Sequence, residues 1–140
     1  MEELFIYGLL MDLSPAAERL YNEKLDELFM KSSDNPYLLE LELMCGNIGE
    51  SVIFISNHTD FTKLDLKVFR KQIIYILSSI YNTIDIHEFT ELSYTLWNRL
   101  PGFIAHEEPF LILSYAGDSL SWGDSVSADK NYKKIFSYYD

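Results

Sequence analysis

The sequence predicts an all-α fold, a compact bundle of about six to eight short helices, with a small hairpin near residues 38–56 as the alternative for one segment. Three observations carry this prediction. Cap-and-proline pairs stand at Ser14-Pro15 and Asn35-Pro36, where an Asn or Ser side chain accepts backbone N–H groups and proline supplies a helical φ. Apolar residues recur at three- and four-residue spacing through most of the chain, which is the period of one helix face. Strand-like alternation is confined to one short stretch.

The elements follow in order. Glu2 to Met11 reads as a first helix, too uniformly apolar around Leu4, Phe5 and Leu9 to show a clean face. The second, about Pro15 to Lys31, has Ala17, Leu20, Tyr21, Leu25, Leu28 and Phe29 on its apolar side and Glu18, Glu23, Asp26 and Glu27 on the other flank, partly balanced by Arg19 and Lys24. Asn35-Pro36 opens a third around Pro36 to Cys45, with Gly46 as its stop. Here Leu39-Glu40-Leu41-Glu42-Leu43 alternates as a strand would, and Ser51-Val52-Ile53-Phe54-Ile55 is β-branched enough to pair with it. The caps favour helix for both segments.

The longest helix is expected from about Lys63 to Tyr81, with Leu66, Phe69, Ile73, Ile76, Leu77 and Ile80 as its buried stripe. Lys63, Lys67, Arg70 and Lys71 line a second face, either relieving the acidity of the N-terminal helices or standing as a solvated flank. Asp85 and Glu88 resemble a capping box for a helix that turns Phe89, Leu92, Leu96, Trp97 and Leu100 inward and ends at Pro101-Gly102. Pro109 can start a short helix ending before Gly117. A last helix runs from Ser125 or Ser127 towards Tyr139, with Lys130, Lys133 and Lys134 clustered on it.

At 140 residues and 48% hydrophobic content the chain is expected to form a single domain, residues 1–140. Its one cysteine, Cys45, has no internal disulfide partner and lies in the apolar run Leu41 to Cys45, where a buried inert thiol is the simpler reading. Acidic residues precede the first apolar stretch where a secretory signal needs basic ones, and no apolar run approaches the roughly 20 residues of a membrane span, so a cytoplasmic protein is expected.

Charge is the most informative property. Met1 to Asp60 holds twelve Asp and Glu against three Lys and Arg, a net −9 out of the −11 for the whole chain. Such a field repels nucleic acid and anionic lipid and speeds encounter with a cationic protein surface. The expected partner is therefore a protein with a basic surface, with no nucleic acid and no membrane. Glu18, Glu23, Asp26, Glu27, Glu40 and Glu42 are the candidate partner-binding residues, chosen for shared charge and expected exposure on neighbouring helices.

No motif specifies a reaction. Gly117-Asp118-Ser119-Leu120 is identical to the nucleophile block of the GDSL hydrolases, but His58, His87 and His106 all precede Ser119, whereas those enzymes take their base from near the end of the chain. Asp118 to Gly123 matches an EF-hand loop only at its first and sixth positions, since Leu120 and Trp122 occupy ligand positions. The segment reads better as a turn in which Gly117 and Gly123 permit unusual backbone angles, Trp122 packs and Asp124 caps the final helix. His106-Glu107-Glu108 offers a base and two carboxylates, but adjacent residues point in different directions. No HExxH pattern or zinc spacing is present, and no catalytic residue, metal or cofactor is expected.

Several strings taken together resemble an uncharacterised family of small acidic helical bacterial proteins, some of whose members read as immunity proteins of polymorphic toxin systems. They are Leu13-Ser14-Pro15, Asn35-Pro36 with Leu39-Glu40-Leu41, Trp97-Asn98-Arg99-Leu100-Pro101, Glu108-Pro109-Phe110, Leu113-Ser114-Tyr115-Ala116 and Leu120-Ser121-Trp122-Gly123-Asp124. The Trp-Gly-Asp segment is the most distinctive, and the cap-like pairs are generic. The resemblance implies a mostly helical fold without catalytic residues and supplies no site. The leading expectation is a noncatalytic protein that neutralises a cognate toxin by masking its active or substrate-binding surface. A small serine hydrolase using Ser119 or the His106 region, and a helical adaptor with a non-toxin partner, are the competing classes.

Overall fold

The computed structural model describes residues 2–44 and 47–140. Among these the fold is all-α, with nine α-helices, two 3-10 helices and no strand. The helices are α1 (Glu2–Leu10), α2 (Pro15–Lys31), α3 (Pro36–Leu43), α4 (Ile48–His58), α5 (Leu66–Tyr81), α6 (Ile86–Arg99), α7 (Gly102–Ala105), α8 (Phe110–Leu113) and α9 (Ser125–Phe136), with 3-10 helices at Phe61–Lys63 and Asp118–Trp122. Cys45 and Gly46, the expected buried thiol and helix stop, lie outside the described residues. None of the described helices is long and apolar enough to cross a membrane.

Two compact units divide the chain, Met1–Phe69 and Arg70–Asp140. In the first, α1 packs against α2 and α4, and α3 packs back on α2. The local causes are those of the capped helix. Ser14 Oγ accepts from Ala17 N at 3.1 Å ahead of Pro15, and Asn35 Oδ1 accepts from Tyr37 N at 2.9 Å ahead of Pro36. Asn47 opens α4 in the same way, accepting from Glu50 N at 3.1 Å. The core is built from Leu4, Ile6, Leu10, Met11, Ala17, Tyr21, Leu25, Leu41 and Ile55, all buried, and the Phe5 and Phe69 rings stack at 5.7 Å.

The hairpin alternative is not adopted, because Asn35 and Asn47 each satisfy helix N-terminal N–H groups that a strand would leave to its neighbour. The helix expected from Lys63 begins instead at Leu66: Asp65 Oδ1 accepts from Lys67 N at 3.0 Å, while Asp60 Oδ1 accepts from Thr62 N and holds Phe61–Lys63 in a separate 3-10 turn. Lys63 is thereby removed from the basic stripe, and α2, not α5, is the longest helix.

In the second unit Phe89, Tyr132, Tyr81 and Phe136 form an aromatic cluster, with Phe89 and Tyr132 edge-to-face at 4.8 Å. Its polar tips are satisfied. Thr90 Oγ1 bonds the Tyr132 hydroxyl at 2.8 Å, and Tyr81 donates to Asp129 Oδ1 at 2.5 Å, with Lys133 2.9 Å from the other oxygen of that carboxylate. Arg70 pairs with Glu107 at 3.0 Å, so this member of the basic stripe serves the C-terminal half. Pro101-Gly102 ends α6 as expected but also starts the one-turn helix α7, which positions the Ala105 carbonyl to accept from Trp97 Nε1 at 2.8 Å.

Candidate functional site

The first unit contains a cavity of about 130 Å³ bounded by α2, the end of α3 and the start of α4. Tyr21, Leu25 and Leu41 are buried and make its apolar floor. Asn47, which caps α4, and Ser51 within it add polar wall, with the Ser51 hydroxyl donating to Asn47 O at 2.9 Å. Glu18, Asp26 and Glu42 stand around it. Glu18 and Asp26 project there because they are eight residues, slightly more than two turns, apart on α2.

Burial pushes the Glu42 carboxyl above the ordinary glutamate range, and the Asp26 carboxyl adds to this by a shared hydrogen bond and by charge repulsion. Two carboxylates thus face each other across the α2–α3 groove. Among the described residues no Lys or Arg forms an ion pair with either, or with Glu18, Glu23 or Glu40.

The six candidate residues therefore separate. Glu18, Asp26 and Glu42 are brought together at the cavity. Glu23 and Glu40 are exposed on α2 and α3, away from it. Glu27 is already neutralised within its own helix, 3.6 Å from Lys24 and 3.2 Å from Lys31, and its carboxyl is held below the usual range by the Lys31 hydrogen bond first and by the Lys24 charge second. Of the six it has the least charge to offer a partner.

Unforeseen in the sequence are exposed apolar side chains on α3 and near the end of α2. Leu39 and Leu43 on α3 are 47% and 74% exposed, and Met30 near the end of α2 is 83% exposed. The signal was present in the alternating Leu-Glu run: read as helix, it places Leu41 inside and sends Leu39 and Leu43, one turn apart, to the opposite side. A second cluster stacks the His58 ring on Phe54 at 4.2 Å and near Tyr37 at 4.8 Å, with His58 Nδ1 2.9 Å from the Phe54 carbonyl.

The Gly117 to Asp124 segment is a 3-10 turn, with two departures from expectation. Gly123 takes the left-handed φ of +80°, and Asp124 caps α9 by accepting from Ser127 N at 2.9 Å. Gly117 has an ordinary φ of −93°; glycine is needed there because a Cβ would lie 2.7 Å from Thr90 Oγ1. Trp122 does not pack but is 70% exposed. Ser119 is buried, and its hydroxyl donates to the Asp124 carbonyl at 2.6 Å. Among the described residues no group of three or more His, Cys, Asp or Glu is placed to hold a metal ion.

The chain is thus an all-α protein whose N-terminal unit carries an acidic cavity flanked by exposed leucines. No family model matches it, and neither does any curated protein or solved structure.

Proposed function

We propose that this is a noncatalytic, cytoplasmic binding protein that neutralises a cognate bacterial toxin by masking a basic active or substrate-binding surface. The observation that carries the reading is charge without internal compensation. Met1–Phe69 holds thirteen Asp and Glu against five Lys and Arg, a net −8, and five of the six candidate carboxylates have no ion pair among the described residues. Toxin domains that act on nucleic acid need a cationic groove, and an acidic surface complements such a groove in encounter and orientation. The same field disfavours nucleic acid and anionic lipid as ligands. Resemblance to a family with immunity members points the same way.

The test is co-expression. A secreted-toxin domain encoded beside this gene should arrest growth when expressed alone in the cytoplasm, and co-expression of the chain should restore growth. The Asp26→Lys/Glu42→Lys protein should restore it poorly while folding normally. Growth arrest unrelieved by the wild-type chain contradicts the reading.

A further inference from the structure

Single exposed apolar side chains are normal on a protein surface, whereas contiguous exposed apolar patches rimmed by polar groups mark interaction sites. Leu39 and Leu43 leave α3 on one face, and Glu42, next to Leu43 in the chain and about 100° from it around the helix, lines the cavity with Asp26 of α2. Met30, one turn beyond Asp26 on α2, is exposed as well. The result is an apolar edge on α3, Leu39 and Leu43, next in the chain to Glu42, which lines the acidic cavity together with Asp26.

Charge selects the occupant. A second copy of this chain brings another −11 and the same carboxylates, so self-association is opposed. A cationic helix meets both halves of the surface, since apolar residues at i, i+3, i+4 and i+7 lie along a groove while Lys or Arg on the adjoining face reaches the carboxylates. We propose that the Leu39–Leu43 edge and the adjoining Asp26–Glu42 rim dock a basic amphipathic helix of a protein partner, its apolar side chains covering the leucines and one Lys or Arg entering the cavity. This rests on the reading of the protein as a partner-binding module, and names the element of the partner that it grips.

The probe is a labelled synthetic helix of about five turns, with Leu at amphipathic spacing and Lys elsewhere, compared by fluorescence anisotropy with a scrambled peptide of the same composition and with a version carrying Glu for Lys. At about 0.15 M salt, where long-range attraction is screened beyond about 8 Å, the basic amphipathic peptide should bind at least about tenfold tighter than either control. Leu39→Ser/Leu43→Ser should weaken it by about 10- to 100-fold, and Asp26→Asn/Glu42→Gln by about tenfold, with unchanged circular dichroism. The proposal is overturned if the scrambled peptide binds equally well, if the leucine double variant binds like wild type, or if the wild type sediments as a dimer that this variant dissociates. The co-expression assay separates the two readings. Rescue by wild type and by Leu39→Ser/Leu43→Ser alike keeps neutralisation and discards this surface, whereas peptide binding that follows the predicted order without rescue keeps the surface and discards the toxin.

Discussion

Gly117→Ala adds a methyl group against the side of α6 that holds the C-terminal unit together. A Cβ at this position would lie 2.7 Å from Thr90 Oγ1 and 3.1 Å from Thr90 Cβ, and closer still to Thr90 Cγ2. Thr90 is β-branched and stiff at χ1, and its hydroxyl is held by the Ile86 carbonyl at 2.9 Å and the Tyr132 hydroxyl at 2.8 Å. It cannot turn away without losing a hydrogen bond worth about 1 kcal/mol. Overpacking typically costs about 1–3 kcal/mol, and the entropy that alanine removes from the unfolded chain returns about 0.4–1 kcal/mol, so the net loss should be about 2 kcal/mol. With a urea slope of about 2 kcal/mol per M, the unfolding midpoint should fall by about 1 M. Thr90→Ala removes both of the nearest atoms, so the double variant should be more stable than the sum of the single losses, by about 1 kcal/mol. An unchanged midpoint in Gly117→Ala, or strict additivity in the cycle, would refute the close-approach argument.

Two further perturbations probe the titrating groups. Glu42→Gln should raise the melting temperature at pH 7: a carboxyl whose folded pKa lies above its unfolded one destabilises the fold when charged, so the gain should shrink as pH falls through the folded pKa and vanish well below the unfolded glutamate pKa of about 4.3, where wild-type Glu42 is protonated in both states. A gain that persists undiminished at low pH would contradict this. Tyr81→Phe should cost about 1 kcal/mol in urea unfolding. The Asp129 carboxyl, held low by the Tyr81 hydrogen bond first and by Lys133 second, contributes stability above its unfolded pKa that is lost as pH falls through its folded one. Removing the hydroxyl should move the Asp129 titration upward by NMR; a titration that stays put would show that Lys133 alone sets it.

How far each feature was legible depended on whether a local signal fixed it. Ser14-Pro15, Asn35-Pro36, Asp85 and Asp124 each satisfy helix N-terminal groups by short-range geometry, and all four open helices as expected. The start of α5 was misplaced because Asp60 and Asp65 each form local hydrogen bonds, and periodicity alone does not say which of them begins the helix. Gly117 needed the position of Thr90, 27 residues away in sequence, and no turn rule supplies that. Charge pointed to six carboxylates of equal standing. Only tertiary packing joins Glu18, Asp26 and Glu42 at one cavity, whereas the Glu27 pairing was open to an i, i+4 reading with Lys31. The leucine row was obscured because a two-residue alternation is the signature of a strand, and its meaning inverts once the segment is helical.

The proposed function requires the N-terminal carboxylates to steer a basic toxin onto the protein. Stopped-flow measurement of the association rate with the neighbouring gene's toxin domain, over a range of ionic strength, tests it most directly. The wild-type rate should fall steeply with salt, and Asp26→Lys/Glu42→Lys and Glu23→Lys/Glu40→Lys should each be slower at low salt with a flatter dependence. Association rates unchanged by both pairs, with the same salt dependence as wild type, would contradict it.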